Sequence, residues 1–178
     1  MEKSLLQRAR EFDREALAEI YDTYSPEIFR YACRLTGSTD QAEECLSETF
    51  TRLLQALYHG QGPKDYLRAY LFRTAHNWIT DQYRRGAPPG VSLEAEQIID
   101  DQPHPTQVAD DRMEQERVRT ALRLLTPDQR QVMVMRYIED WSNDEIAQAL
   151  DKPVGAVKAL QHRALGTLRK LLVQEEMK

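Results

Sequence analysis

The sequence contains no run of the roughly 20 apolar residues that a bilayer-spanning helix requires. Met1 to Phe12 is interrupted by charge and offers no apolar signal core. These two absences predict a cytoplasmic protein with no direct membrane insertion. Cysteine is nearly missing: Cys33 and Cys45 do not form a Cys-x-x-Cys pair, which argues against a zinc or redox site. Both are expected to be small buried hydrophobes with reduced thiols. Histidine is equally sparse, and His59, His76, His104 and His162 are scattered, none at ligand spacing from an acidic cluster. No metal, cofactor or catalytic residue is therefore expected. Glycine is rare at seven residues and β-branched runs are missing, so little favours strands. A net charge of -5 excludes a uniformly basic nucleic-acid binder. How the charge is distributed matters more than its sum.

What the sequence does hold is helical periodicity. Phe12, Ala16, Ile20 and Tyr24 make one apolar stripe. Ser25-Pro26-Glu27 reads as an N-cap with proline at the first helical position, followed by a second stripe of Ile28, Tyr31, Ala32 and Leu35. Thr36-Gly37-Ser38 ends that helix. Asp40 with Glu43 predicts a new start, and Leu46, Phe50, Leu53, Leu54 and Leu57 carry its apolar face. His59 to Pro63 is a loop. A further helix is predicted from about Asp65 to about Arg85, with an apolar face of Leu67, Tyr70, Leu71, Ala75, Trp78 and Ile79.

The composition then changes. Gly86-Ala87-Pro88-Pro89-Gly90 breaks the helix, and residues 91 to 116 hold eight acidic side chains against one basic, Arg112. That pattern predicts an extended acidic linker. A second helical block begins near Asp111. Thr126 to Gln129 and Ser142 to Glu145 are both capping boxes. The fold class predicted is all-α: two small helical domains, residues 1–87 and 113–178, joined by a flexible acidic linker at 88–112.

Near the C-terminus, a short helix from about Asn143 to Leu150 is interrupted by Asp151-Lys152-Pro153, and a second begins at about Val154. This spacing matches a DNA-binding helix-turn-helix. On a helical wheel Val157, Leu160, Ala164, Leu168 and Leu171 share one side. Gly155, Lys158, Ala159, His162, Arg163, Arg169 and Lys170 share the other. From Lys152 to Leu172 there are five Lys/Arg and no acid, a pattern that suits a phosphate backbone. Lys158, His162 and Arg163 are placed to reach base edges or phosphates. For Arg169 and Lys170 a favourable interaction with the helix dipole is an equal explanation.

Two other stretches bear on function. Tyr66 to Arg85 interleaves aromatics with cations (Arg68, Arg73, His76, Trp78, Tyr83, Arg84 and Arg85), as single-strand binders do, and Asn77 offers a donor and an acceptor to a base edge. Trp78 is equally readable as core. The helix carrying Asp40, Glu43, Glu44 and Glu48 exposes a carboxylate face that is either solvated or a protein-docking surface; its pattern does not separate the two.

In this order the pieces resemble the extracytoplasmic-function sigma factors, which keep only regions 2 and 4 of larger sigma factors. Glu43-Glu44-Cys45-Leu46-Ser47-Glu48-Thr49-Phe50 is similar to their acidic region 2 signature. Tyr66 to Arg85 is similar to their minus-ten stretch, and Leu125-Thr126-Pro127 through Arg169 resembles region 4. The resemblance implies a subunit that binds core RNA polymerase, through its β and β′ subunits, and promoter DNA, and that is held by an anti-sigma factor. It implies that Glu44, Ser47 and Glu48 dock on the polymerase. It gives the melted minus-ten element to Lys64, Asn77, Asp81, Arg84 and Arg85, with the loop from Gly60 to Asp65 shaping a pocket for a flipped base. It assigns minus-35 duplex recognition to Lys158, Ala159, His162 and Arg163. The acidic linker would thread toward the polymerase RNA channel. Ser47 stands where glutamine is usual, His76 where arginine is common, and Ala159-Leu160 where Ser-Arg is common.

Two other readings of the residues remain. One is a helix-turn-helix regulator that binds palindromic DNA as a dimer without polymerase. The other is a helical hydrolase using Glu43, Glu44 and Glu48.

Overall fold

Asp13 begins the longest helix of the N-terminal half by accepting backbone N–H bonds from Glu15 and Ala16, the usual work of an N-cap carboxylate. Arg8 donates to the same side chain at 2.7 Å, and that hydrogen bond holds the Asp13 carboxyl below its ordinary range. The computed structural model describes residues 1–85, 117–118 and 120–176, which form helices and short connections with no strand among them. The chain divides into two units, Met1–Ala95 and Glu96–Lys178. The linker expected at 88–112 and the helical start expected near Asp111 lie outside the described residues.

The first unit holds α1 (Glu2–Arg10), α2 (Arg14–Thr36), α3 (Thr39–Tyr58) and α4 (Leu67–Arg84). α2 packs on α3 and α4, α3 packs on α4, and α1 lies against α2 and α3. The break expected at Ser25-Pro26-Glu27 does not occur, and α2 runs through Pro26. An interior proline removes one backbone hydrogen bond and costs about 3 kcal/mol in a helix. Here its ring is exposed, and buried Ala16, Ile20, Ile28, Tyr31, Ala32 and Leu35 keep one phase on both sides of it. Burial of that common stripe offsets the lost bond.

Gly37 ends α2 in the left-handed conformation at φ 67° and bonds back to the Cys33 carbonyl, a conformation glycine adopts without strain. The start of α3 also differs from expectation. Ser38, rather than Asp40, is the cap and accepts from Gln41 N–H at 3.3 Å. The core of this unit includes Leu6, Ile20, Ile28, Tyr31, Leu53, Leu67, Leu71 and Phe72, all nearly inaccessible. Cys33 and Cys45 are both buried, as expected.

In the second unit, α5 (Pro127–Met133) continues into a π-helical turn at Val134–Ile138, followed by α6 (Asn143–Leu150) and α7 (Val154–Glu176). Both expected capping boxes form, at Thr126/Gln129 and at Ser142/Glu145. Arg130 is buried and donates to the carbonyls of Leu122, Arg123 and Leu125 at 2.7, 3.1 and 3.3 Å. One guanidinium thus satisfies several backbone acceptors where the chain turns into α5. Past the π turn, Asp140 takes a positive φ, Trp141 is buried, and Arg136 donates to the Trp141 carbonyl at 2.9 Å.

Candidate nucleic-acid interface

α6 and α7 form the helix-turn-helix predicted from spacing. Asp151 ends α6 in the left-handed conformation at φ 52°, with its N–H directed to the Ala147 and Gln148 carbonyls. The Lys152 N–H follows with a 3.0 Å bond to the Ala147 carbonyl. Pro153 precedes α7, and its carbonyl accepts from Ala156 and Val157. Ile146 on α6 and Val157 and Ala164 on α7 are fully buried where the helices of this unit pack. At the edge of that contact, Gln161 Nε2 donates to Asn143 Oδ1 at 2.7 Å, which fixes the rotation of α7 against α6.

That rotation turns Lys158, Ala159, His162 and Arg163 outward, and all four are exposed. Gly155 and Gly166 also face open space, with nothing within 4 Å of where a Cβ would stand. Arg163 Nε reaches only its own helix, at the Ala159 carbonyl 3.3 Å away. Arg169 and Lys170 are exposed further along α7, and Leu160 is half-buried rather than fully interior. Lys152 lies 4.0 Å from Asp128 and is less free for a phosphate than Lys158 or Arg163. A protruding, acid-free, small-residue face of this kind can enter a major groove.

In the first unit, Asn77, Asp81, Arg84 and Arg85 are exposed toward the end of α4, and Lys64 is exposed in the loop before it. The spacing of Asn77, Asp81 and Arg84 places them on one helix face. The aromatics nearby divide differently from the sequence pattern. Trp78 is 8% exposed and belongs to the core. Tyr83 is half-buried, and its hydroxyl donates to the Leu35 carbonyl, pinning the end of α4 to α2. Arg68 pairs with Glu27 at 2.9 Å and lies over the Phe72 ring, so it serves the interior rather than a strand of nucleic acid. His76 is half-buried, with Nε2 3.2 Å from Thr80 Oγ1.

On α3, Glu43, Glu44 and Ser47 are exposed, while Glu48 is half-buried and bonded to Arg52 at 2.7 Å. Sequence reasoning missed what lies beside them. A groove of about 600 Å³ runs between α2 and α3, bordered by Tyr21, Phe29, Glu43, Leu46, Ser47 and Leu54. Tyr21 and Leu54 are 46% and 42% exposed, so the carboxylate face has an apolar flank. The signal was available in Leu46 and Leu54, which lie at the edge of the α3 apolar stripe. Among the described residues no cluster of His, Cys, Asp or Glu is arranged to hold a metal ion, and no helix is long and apolar enough to cross a membrane.

Comparison with known proteins adds independent findings. Residues 20–88 match the family described as Sigma-70 region 2, and residues 115–168 match the one described as Sigma-70, region 4. The chain is 35% identical over 162 residues to the ECF RNA polymerase sigma factor SigL of Mycobacterium tuberculosis, covering 88% of each chain. It is 28% identical over 170 residues to SigX of Bacillus subtilis, covering 92% of this chain and 88% of that one. To BldN of Streptomyces coelicolor it is 30% identical over 177 residues and spans 64% of that longer protein. Its fold is similar to that of CnrH, solved in complex with the cytosolic domain of CnrY, at a TM-score of 0.71 with 24% identity and 97% of each chain covered. It is also similar to the sigma factor RpoE of Bartonella quintana, solved with the anti-sigma factor NepR, at a TM-score of 0.63 with 20% identity, covering 87% of this chain and 95% of that one.

Proposed function

Because the chain belongs to the extracytoplasmic-function RNA polymerase sigma factors of the sigma-70 family, we propose that it binds core polymerase through α3 and reads promoter DNA with two separate surfaces. It is a sigma factor for transcription initiation, and its own residues recognise DNA and polymerase rather than perform chemistry. Glu44, Ser47 and Glu48 dock on the polymerase, and the apolar groove beside Ser47 extends that contact. Asn77, Asp81, Arg84 and Arg85, with Lys64 in the preceding loop, hold the melted minus-ten strand. Lys158, Ala159, His162 and Arg163 read the minus-35 element as duplex.

The observation that carries this reading is the pairing of opposite faces in one chain. A carboxylate face lies on one unit, and a cationic face with no acid lies on the other. Each small module binds weakly alone, and joining both to one polymerase raises their effective concentration at a promoter. Negative charge in the 88–112 linker suits a positively lined channel of the polymerase. An anti-sigma protein is the regulator proposed, because the RpoE similar in fold was solved with one. The protein acts where the polymerase is, in the cytoplasm.

In vitro transcription with purified core polymerase tests the proposal. The chain should co-elute with core and create start sites on a promoter library, whereas the free chain should bind the same DNA poorly. Tight binding of palindromic DNA by the isolated protein, with no effect on polymerase, would favour a dimeric regulator instead.

A further inference from the structure

The connector between α3 and α4, residues 59–66, is held at three points by α1 and the corner that follows it. At its entry, the Phe12 ring meets the Tyr58 ring edge-on, with centroids 6.2 Å apart. At its middle, Arg10 Nη2 donates to the carbonyls of Gly62 and Pro63 at 3.1 and 3.0 Å. At its exit, Glu2 Oε1 accepts the Leu67 N–H at 2.7 Å, capping α4 from 65 residues away in place of a local cap. The charge of Glu2 also suits the positive end of that helix dipole.

Two further features show that this shape is imposed on the chain. Phe12 and Tyr66, bulky residues flanking the contacts, both take positive φ, at 57° and 52°. That conformation is strained for a large side chain and persists only where its surroundings demand it. Inside the connector, Gly60 is also left-handed at φ 70°, and a Cβ on Gly62 would come within 2.6 Å of Leu57 Cδ2. A segment carrying two glycines would otherwise sample many shapes.

We propose that α1 and its exit corner brace the 59–66 connector, making Glu2, Arg10 and Phe12 positioning residues that determine which unpaired base the connector accepts. The proposal rests on the sigma-factor reading, in which this loop forms the base pocket, and adds the element that holds the pocket open. Discrimination between bases depends on donors and acceptors held in place before the base arrives. None of the three bracing residues needs to touch the DNA.

The test uses holoenzyme assembled from core polymerase with the wild-type chain, Arg10→Ala, Arg10→Lys or Tyr58→Ala, transcribing a promoter library randomised across the minus-ten and minus-35 elements. Arg10→Ala and Tyr58→Ala should each flatten base preference at one or two adjacent minus-ten positions by about three- to tenfold, the scale of a recognition contact displaced but not deleted. Minus-35 preference and core affinity should be retained. Arg10→Lys keeps a donor and should recover part of the loss. A wild-type preference left intact by both Arg10→Ala and Tyr58→Ala overturns the brace alone, as does a uniform loss at every position that tracks a lower melting temperature. A wild-type holoenzyme with no promoter preference overturns the sigma-factor reading and the brace with it.

Discussion

Arg52 Nε lies 2.7 Å from Glu48 Oε1, one helical turn away on α3. The carboxylate proposed to grip polymerase is therefore already neutralised in part by its own helix. Both side chains are about 40% exposed, and a solvated i,i+4 pair contributes no more than about 0.5 kcal/mol. Arg52→Ala should thus leave the unfolding free energy almost unchanged while tightening binding to core polymerase, because Glu48 is released toward its partner. Glu48→Lys should weaken core binding by at least about tenfold, the loss set by reversing a charge in a docked face. Competition binding by fluorescence anisotropy measures both, and a Glu48→Lys variant that binds core as tightly as wild type would remove Glu48 from the docking face.

Lys158 and Arg163 should act mainly through phosphates or base edges of the minus-35 duplex. Each neutralised phosphate adds about one to the slope of log affinity against log salt. Lys158→Ala and Arg163→Ala are expected to lower promoter affinity of the holoenzyme without touching core affinity. A phosphate contact will also reduce the salt slope by about one, whereas a base contact will relax specificity at one position. Titrations at several salt concentrations separate the two, and unchanged slope with unchanged specificity would take that side chain off the DNA.

Arg130 should matter for folding rather than recognition. Replacing it with alanine leaves the buried carbonyls of Leu122 and Leu125, and the part-buried one of Arg123, without this donor. Losses of about 2 to 4 kcal/mol follow when buried acceptors lose a charged partner. Thermal unfolding of Arg130→Ala should show the second unit melting early while the first unit keeps its transition. A variant as stable as wild type would mean that water replaces the guanidinium at no cost.

Cys45 is buried with its Sγ 3.7 Å from the Ala75 carbonyl, and burial pushes its thiol up to about 12. The folded protein therefore holds the proton more tightly than the unfolded chain. Its contribution to stability is present below the ordinary thiol value and is lost as pH climbs from there toward about 12. In a Cys33→Ser background, Cys45 should resist a thiol reagent at pH 8 and react only as fast as the protein opens. Prompt labelling of the native protein would show that this region of the core breathes.

Much of the second unit was legible because its signals are local. Thr126, Pro127 and Gln129 sit within one turn, as do Ser142 and Glu145, and capping chemistry acts over that distance. The outer face of α7 from Lys158 to Lys170, which carries no acid, was legible for the same reason, since a helical wheel needs only the helix itself. Pro26 misled because proline was weighed as a local signal, while the stripe from Ala16 through Leu35 keeps one phase across it and packs as one surface. Tyr66 and Glu2 were beyond reach: a cap supplied from 65 residues away leaves no mark in the residues around α4. Trp78 and Arg68 stand in an aromatic-basic pattern that suits both a core and a strand of nucleic acid, and only packing distinguishes them.

The unbroken course of α2 ties two distant parts of the first unit mechanically. Its 23 residues form a rod about 35 Å long at the usual helical rise. One end starts at Asp13, beside the strained Phe12 corner, and the other offers the Leu35 carbonyl to the Tyr83 hydroxyl. A stiff rod does not let its ends drift apart, so the connector braced near its start and the tip of α4 pinned at its end are held at a fixed spacing. Should both surfaces take up a melted strand as proposed, they would meet it together, as one rigid template.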